Sequence, residues 1–315
     1  MTLTLSLAAP GHAADTIRLA VQKTGTFSWE LAAIRAGGLD READLSLDVT
    51  ELASPEAGKI ALRAGSADII LSDWLWVSRE RALGARLTFY PHSSALGAVM
   101  VPATSPIKTL ADLKGRKLGV GGGPIDKSWL LLQARMKQDG IDMKSDASIV
   151  YGAPPLIAAK ALDGEMDASL NFWNFCAQLE AKGFRRLAGI EDILPKLGAK
   201  GAVSAVGYVF DENWAASHRD AVARFIAMTR KAKQLLISSD AAWDRIAPLT
   251  GSSDATLLRT YRQRYRDGIP RRSINDEEAD ARVLYRVLAE VGGRDLVGPA
   301  AELDPGTFYH AAPGD

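Results

Sequence analysis

Residues 121–129, GGGPIDKSW, set three glycines and a Lys-Ser pair between a strand-like run, KLGVG, and a helical one, WLLLQARMK. That order suggests a phosphate-binding loop, whose pattern needs a second glycine directly before the lysine. The sequence has Asp126 there. A carboxylate at that point faces the phosphates, its side chain blocks close backbone approach, and Pro124 removes an amide that should cradle them. What survives is a glycine-rich turn feeding a helix N-terminus, which attracts anions in general. A plain strand-to-helix turn has the same appearance.

Other segments just after strand-like runs carry similar chemistry. QKTGTFSW holds Thr24 and Trp29, SDWLW holds Ser72, Asp73, Trp74 and Trp76, and HSS holds Ser93 and Ser94. DKSW holds Lys127, Ser128 and Trp129, and NFW holds Asn171 and Trp173. Four of the chain's seven tryptophans (Trp29, Trp74, Trp129, Trp173) fall at these strand ends. Each taken alone also fits a bland role: a core tryptophan, a serine cap, a polar turn, a solvated lysine. Trp74 and Trp76 lie two apart on a helix and cannot share a face, so Trp74, nearer the terminus, is expected to face a ligand. Together they point to a flat ligand with negative charge, stacked on indoles and met by amides and a cation. The candidate ligand-binding residues are Thr24, Trp29, Ser72, Asp73, Trp74, Ser94, Lys127, Ser128, Trp129, Asn171 and Trp173.

Catalytic and metal signals are weak. The four histidines are scattered without metal spacing, and no Ser-His-Asp set has supporting context. Cys176 is the single cysteine, so no intrachain disulfide forms, and it reads as a small core residue. The arginine-rich run YRQRYRDGIPRRS, 261–273, reads as a solvated helix end and turn. The expectation is a binding protein with no catalytic residues and no metal.

The elements that must place these groups alternate. Strands are predicted at 17–21, 45–52 and 67–71, and helices at 28–35, 55–64 and 73–83, the last capped by Ser72. Strands follow at 87–91 and 96–101. The pattern then restarts, with a helix over 127–138 and further strands to 210. Such alternation means parallel strands with helical crossovers, an α/β protein. The second unit reads as inserted into the first near residues 100 and 206, with 99–102 and 205–209 as the two crossing strands. Lobe 1 is then 15–99 plus 207–315, lobe 2 is 100–206, and a cleft lies between them.

The 315 residues are 47% hydrophobic and 24% charged, with 38 basic and 38 acidic side chains. That balance argues against a nucleic-acid or membrane-surface partner. No apolar run reaches the roughly 18 residues of a membrane helix. Residues 1–14 are apolar and small, ending in GHAA, and read as the remnant of a secretory signal peptide.

ELASPEAGKIALRAGSADIILSD, followed by MVPATSPIKTLADLKGRKLGVGGG, resembles the periplasmic solute-binding proteins of ABC importers, in the branch for nitrate, sulfonates, taurine and thiamine precursors. The resemblance covers roughly residues 15–240. It implies a two-lobed type II Venus-flytrap fold with two crossing strands that closes on its ligand by hinge motion. It also implies a monomeric periplasmic protein, not membrane-embedded, serving an ABC permease and without enzymatic activity. A cleft with tryptophans and a lysine departs from the polar lining of small-oxyanion members. It is similar to that of the proteins that bind pyrroloquinoline quinone (PQQ) in methylotrophs, which makes PQQ the expected bound ligand. PQQ is planar, carries three carboxylates and has an electrophilic ortho-quinone, to which a desolvated Lys127 amine could add. The alternatives are an aromatic or taurine-like sulfonate, a thiamine-precursor pyrimidine, a quaternary amine caged around Asp73, and an enzyme on the same fold.

Overall fold

The computed structural model describes residues 14–22 and 25–311, so residues 1–13 of the expected signal remnant and Thr24 fall outside the described residues. Two five-stranded sheets organise the described residues. The first is built from β1 (Asp15–Gln22), β2 (Leu45–Leu52), β3 (Ile69–Ser72), β4 (Leu87–Ser93) and β10 (Val206–Asp211), in the order β2-β1-β3-β10-β4. The second is built from β5 (Ala98–Pro102), β6 (Lys117–Gly121), β7 (Ser148–Gly152), β8 (Ala168–Asn171) and β9 (Phe184–Gly189), in the order β7-β6-β8-β5-β9. In each sheet the fourth strand in order, β10 or β5, runs antiparallel to both neighbours. Ala98 and Val99, placed by sequence in the first lobe, pair in the second sheet, while Val206 pairs in the first. The chain therefore crosses between sheets through 94–97 and again before Val206.

Local chemistry sets the helix starts. Ser54 caps the helix Pro55–Arg63 with proline at its first position. Asp73, not Ser72, caps Trp74–Ala82 by accepting from the Trp76 amide at 2.8 Å. Asp126 does the same for Lys127–Gln138 through the Trp129 amide. Each cap is worth about 1 kcal/mol. Strand ends approach closely where side chains are missing: a Cβ at Gly97 would lie 1.9 Å from the Asn171 carbonyl oxygen.

The chain after β10 is mostly helical and spans both sheets' layers. Arg219–Ser238 packs on Phe27–Gly37 of the first unit. Ala255–Asp267 packs on Trp173–Ala181 of the second. Ile274–Val297 touches both Trp74–Ala82 and Lys127–Gln138. Among the described residues no helix is long and apolar enough to cross a membrane.

Candidate functional site

Because β1 and β3 are parallel neighbours, the segments after them, bearing Trp29 and Asp73, emerge from one edge of the first sheet. β6 and β8 do the same in the second sheet, bearing Lys127 and Trp173. The two edges face each other, and the groups meet in pairs across the gap. Trp29 and Trp173 touch edge to face, with centroids 5.9 Å apart and planes at 87°. Tyr261 closes the triangle, 5.3 Å from Trp29 and 6.3 Å from Trp173. Lys127 Nζ donates to Asp73 Oδ2 at 2.9 Å.

That ion pair alters the expected role of Lys127. Burial alone would pull its amine down, but Asp73 outweighs burial and lifts it above the ordinary lysine value. In this closed arrangement Lys127 is an ammonium, so it offers a charge and not the neutral nucleophile that quinone addition needs. Burial likewise pushes the Asp73 carboxyl up, yet Lys127 and the Trp76 amide together hold it below the usual range.

The remaining candidates are placed as follows. Trp74 and Trp76 are both buried, at 6% and 5% exposure. Trp76 instead has Lys59 and Arg63 over its ring at 5.2 and 5.7 Å. Trp129 is wholly buried, its indole N–H unpartnered and its ring edge-on to Tyr151. Ser128 is buried in the same first turn. Ser72 ends β3 opposite Gly207. Asn171 spends its amide within the second lobe, donating to the Pro154 carbonyl and accepting from the Phe172 amide, both at 2.9 Å. Ser94 donates to the Gly268 carbonyl at 3.2 Å. The structure thus brings Trp29, Asp73, Lys127 and Trp173 together across the gap and leaves Trp74 and Trp129 in packed surroundings.

Sequence reasoning missed a third bridge. Arg264, from the run taken as a solvated face, makes a bidentate pair with Glu180 of the second lobe, Nη2 donating to Oε1 at 2.8 Å and Nε to Oε2 at 3.1 Å. Its helix also accepts from that lobe, with Gln178 Nε2 donating to Tyr261 Oη at 2.8 Å. Tyr261 and Tyr265, four residues apart, form the buried face of that helix. That spacing was the signal that one side of the arginine-rich run is not solvated. Between this helix, β9 and the crossing 94–97 lies a cavity of about 120 Å³ beside Trp173, lined by Ser94, Arg186, Glu191, Arg264 and Asp267.

A second set of polar groups lies within the first unit. Lys233 Nζ reaches Glu30 at 2.7 Å, Tyr208 Oη at 2.9 Å and His92 Nδ1 at 3.2 Å. Tyr208 and Tyr265 donate to the two Glu30 oxygens. Glu30 adjoins Trp29, and His92 and Tyr208 sit on β4 and β10, next to the two crossings. The cluster thus ties the aromatic wall to the hinge strands.

The family model described as NMT1/THI5 like matches residues 35–241. The chain belongs to this family. No curated protein matches it by sequence. Among solved structures, the periplasmic aliphatic sulphonate binding protein SsuA of Escherichia coli has a TM-score of 0.71 at 21% identity, covering 91% of this chain and 95% of that one. The alkanesulfonate-binding protein SsuA of Xanthomonas axonopodis pv. citri, bound to MOPS, scores 0.66 at 20%, covering 91% and 96%. The desulfurization enzyme DSZB scores 0.61 at 18%, covering 88% and 92%. At these identities the likeness is one of fold: the NMT1/THI5-like chain has the two-lobed type II periplasmic-binding-protein fold.

Proposed function

We propose that this protein is a periplasmic solute-binding protein of an ABC importer that captures a flat organic anion between its lobes, with PQQ as the ligand. The observation that carries the reading is the cross-lobe pairing of Trp29 with Trp173 and of Lys127 with Asp73. Each pair has one member on each lobe, so opening separates two indoles and uncovers an ammonium. A planar ring fits between the indoles once they stand about 7 Å apart, two aromatic contacts of about 3.5 Å. Lys127 then exchanges Asp73 for a ligand carboxylate.

The second reading is a small sulfonate, which two fold neighbours bind by name. An enzymatic reading has less support. Cys176 is buried, and burial pushes its thiol up to about 12, so no thiolate nucleophile is offered at neutral pH.

Titration with PQQ, following tryptophan fluorescence and the quinone's visible band together, tests the proposal. Saturable quenching at sub-micromolar ligand, about −8 kcal/mol or better, is the expected result. No response to PQQ with saturable binding of an alkanesulfonate would transfer the assignment to the second reading. Turnover of any bound candidate would revive the enzyme.

A further inference from the structure

A cavity of about 80 Å³ opens at the β4 edge of the first sheet, against the helix Arg219–Ser238 and the segment 270–274. Arg230, Lys233 and Arg272 all line it, and among the described residues its lining holds no carboxylate. The three cations are matched to different degrees. Lys233 is buried and spends its three N–H groups on Glu30, Tyr208 and His92, so it brings charge but no spare donor. Arg272 Nη1 donates to the Ala202 carbonyl at 2.9 Å and to Asp280 at 2.7 Å, and Nη2 donates to the Asp276 carbonyl at 3.4 Å. Its Nε and one Nη2 hydrogen stay uncommitted among the described residues. Arg230 is the unmatched one. Its guanidinium lies over the Tyr90 ring at 5.8 Å and donates to Tyr90 Oη, and among the described residues it pairs with no carboxylate. It is exposed, so an ion arriving from solvent can reach it.

We propose that this cavity binds a small tetrahedral oxyanion, inorganic phosphate or sulfate, held by N–H groups of Arg230 and Arg272 in the field of Lys233. A planar guanidinium presents parallel N–H groups that match two oxygens of one anion, which favours an oxyanion over a single-atom halide. The volume admits a few waters, and so an inorganic ion but not a flat organic solute. The walls are stiff, with Pro91 on β4 and Pro270 on the facing segment. That segment is also tied to both crossings. The Ser94 amide donates to the Gly268 carbonyl at 2.8 Å, and Arg272 reaches Ala202 just before β10. A bound oxyanion therefore joins the helix Arg219–Ser238 of the first lobe to the segment that braces the crossings. The inference makes no assumption about the solute held between the lobes.

The full chain is titrated with inorganic phosphate at constant ionic strength, following ³¹P line broadening, with sulfate and chloride as competitors. Wild type is compared with Arg230→Gln, Arg230→Lys and Lys127→Met. Arg230 is exposed on its helix, and glutamine and lysine are helix formers of similar strength, so both variants should fold. Wild type should show saturable broadening at or below millimolar phosphate, reversed by sulfate and not by equimolar chloride. Arg230→Gln should bind at least about tenfold more weakly, the weight of one hydrogen bond to a charged group. Arg230→Lys keeps the charge without the fork and should fall between the two. Lys127→Met should match wild type. Absence of saturable binding, or equal affinity in wild type and Arg230→Gln, would overturn the site. Chloride displacing phosphate as readily as sulfate does would overturn the oxyanion assignment. Binding lost in Lys127→Met and kept in Arg230→Gln would place the anion between the lobes and overturn the site as well. Failure of PQQ to bind would leave all of these outcomes unchanged.

Discussion

Breaking the Lys127–Asp73 pair should open the lobes without unfolding them. Asp73→Asn is the cleaner single change, because asparagine still caps the Trp74–Ala82 helix as well as aspartate does. Lys127→Met keeps most of the stem's volume. Lys127 retains 41% of its side-chain exposure and Asp73 only 17%, so the pair sits near the upper end of the range for exposed ion pairs, about 1 kcal/mol. That is about a fivefold fall in the closed-to-open ratio. Small-angle scattering, or energy transfer between one dye on each lobe, reads the ratio, and urea denaturation reads overall stability. The two single variants and the double variant form a cycle whose coupling energy is the quantity sought. Its pH dependence is fixed by the shifts. Asp73 is held low, so its contribution is present above the unfolded value near 3.8 and is lost as pH falls through the still lower folded value. Lys127 is held high, so its contribution is present below 10.5 and is lost as pH rises through a folded value above that. The coupling should therefore be flat from about pH 5 to about pH 9.5. A coupling near zero at pH 7, or closure equally populated in all four proteins, would refute the claim that this pair helps hold the lobes together.

Two further outcomes follow from buried groups. Burial first, and Lys233 second, keep His92 neutral well below its usual 6.5, so below that pH the unfolded chain binds a proton that the folded chain refuses. Wild-type stability should lose up to about 1.4 kcal/mol per pH unit between pH 6.5 and 5 from this residue, and urea curves for His92→Gln should lack that slope; the same slope in both would remove His92 as its source. Cys176, buried and pushed up to about 12, should resist a thiol reagent at pH 8 until urea unfolds the chain, and rapid labelling of the native protein would contradict the packing around it.

The alternation of strands and helices was legible because each period is short and self-contained. A buried run such as ADIIL needs two covered faces, and a helix between such runs needs only its own turn residues to start and stop. Boundaries shifted where a side chain had two uses: Ser72 ended a strand and the cap passed to Asp73. Strand character at 98–102 is readable from the residues, but sheet membership is decided by partners, and Ala98 pairs with Asn171 and Gly189, far along the chain.

The site was less legible for a related reason. Residue type and position after a strand identify a group as able to face the cleft, yet they do not say what meets it there. Asp73 and Lys127 were both candidates, one read as a possible cation seeker and one as an anion seeker, and the structure makes them partners across 54 positions. Charges brought together between packed lobes need a partner, and here each is the other's. The same logic accounts for Arg264, whose charge could face inward only because Glu180 of the other lobe was there to receive it.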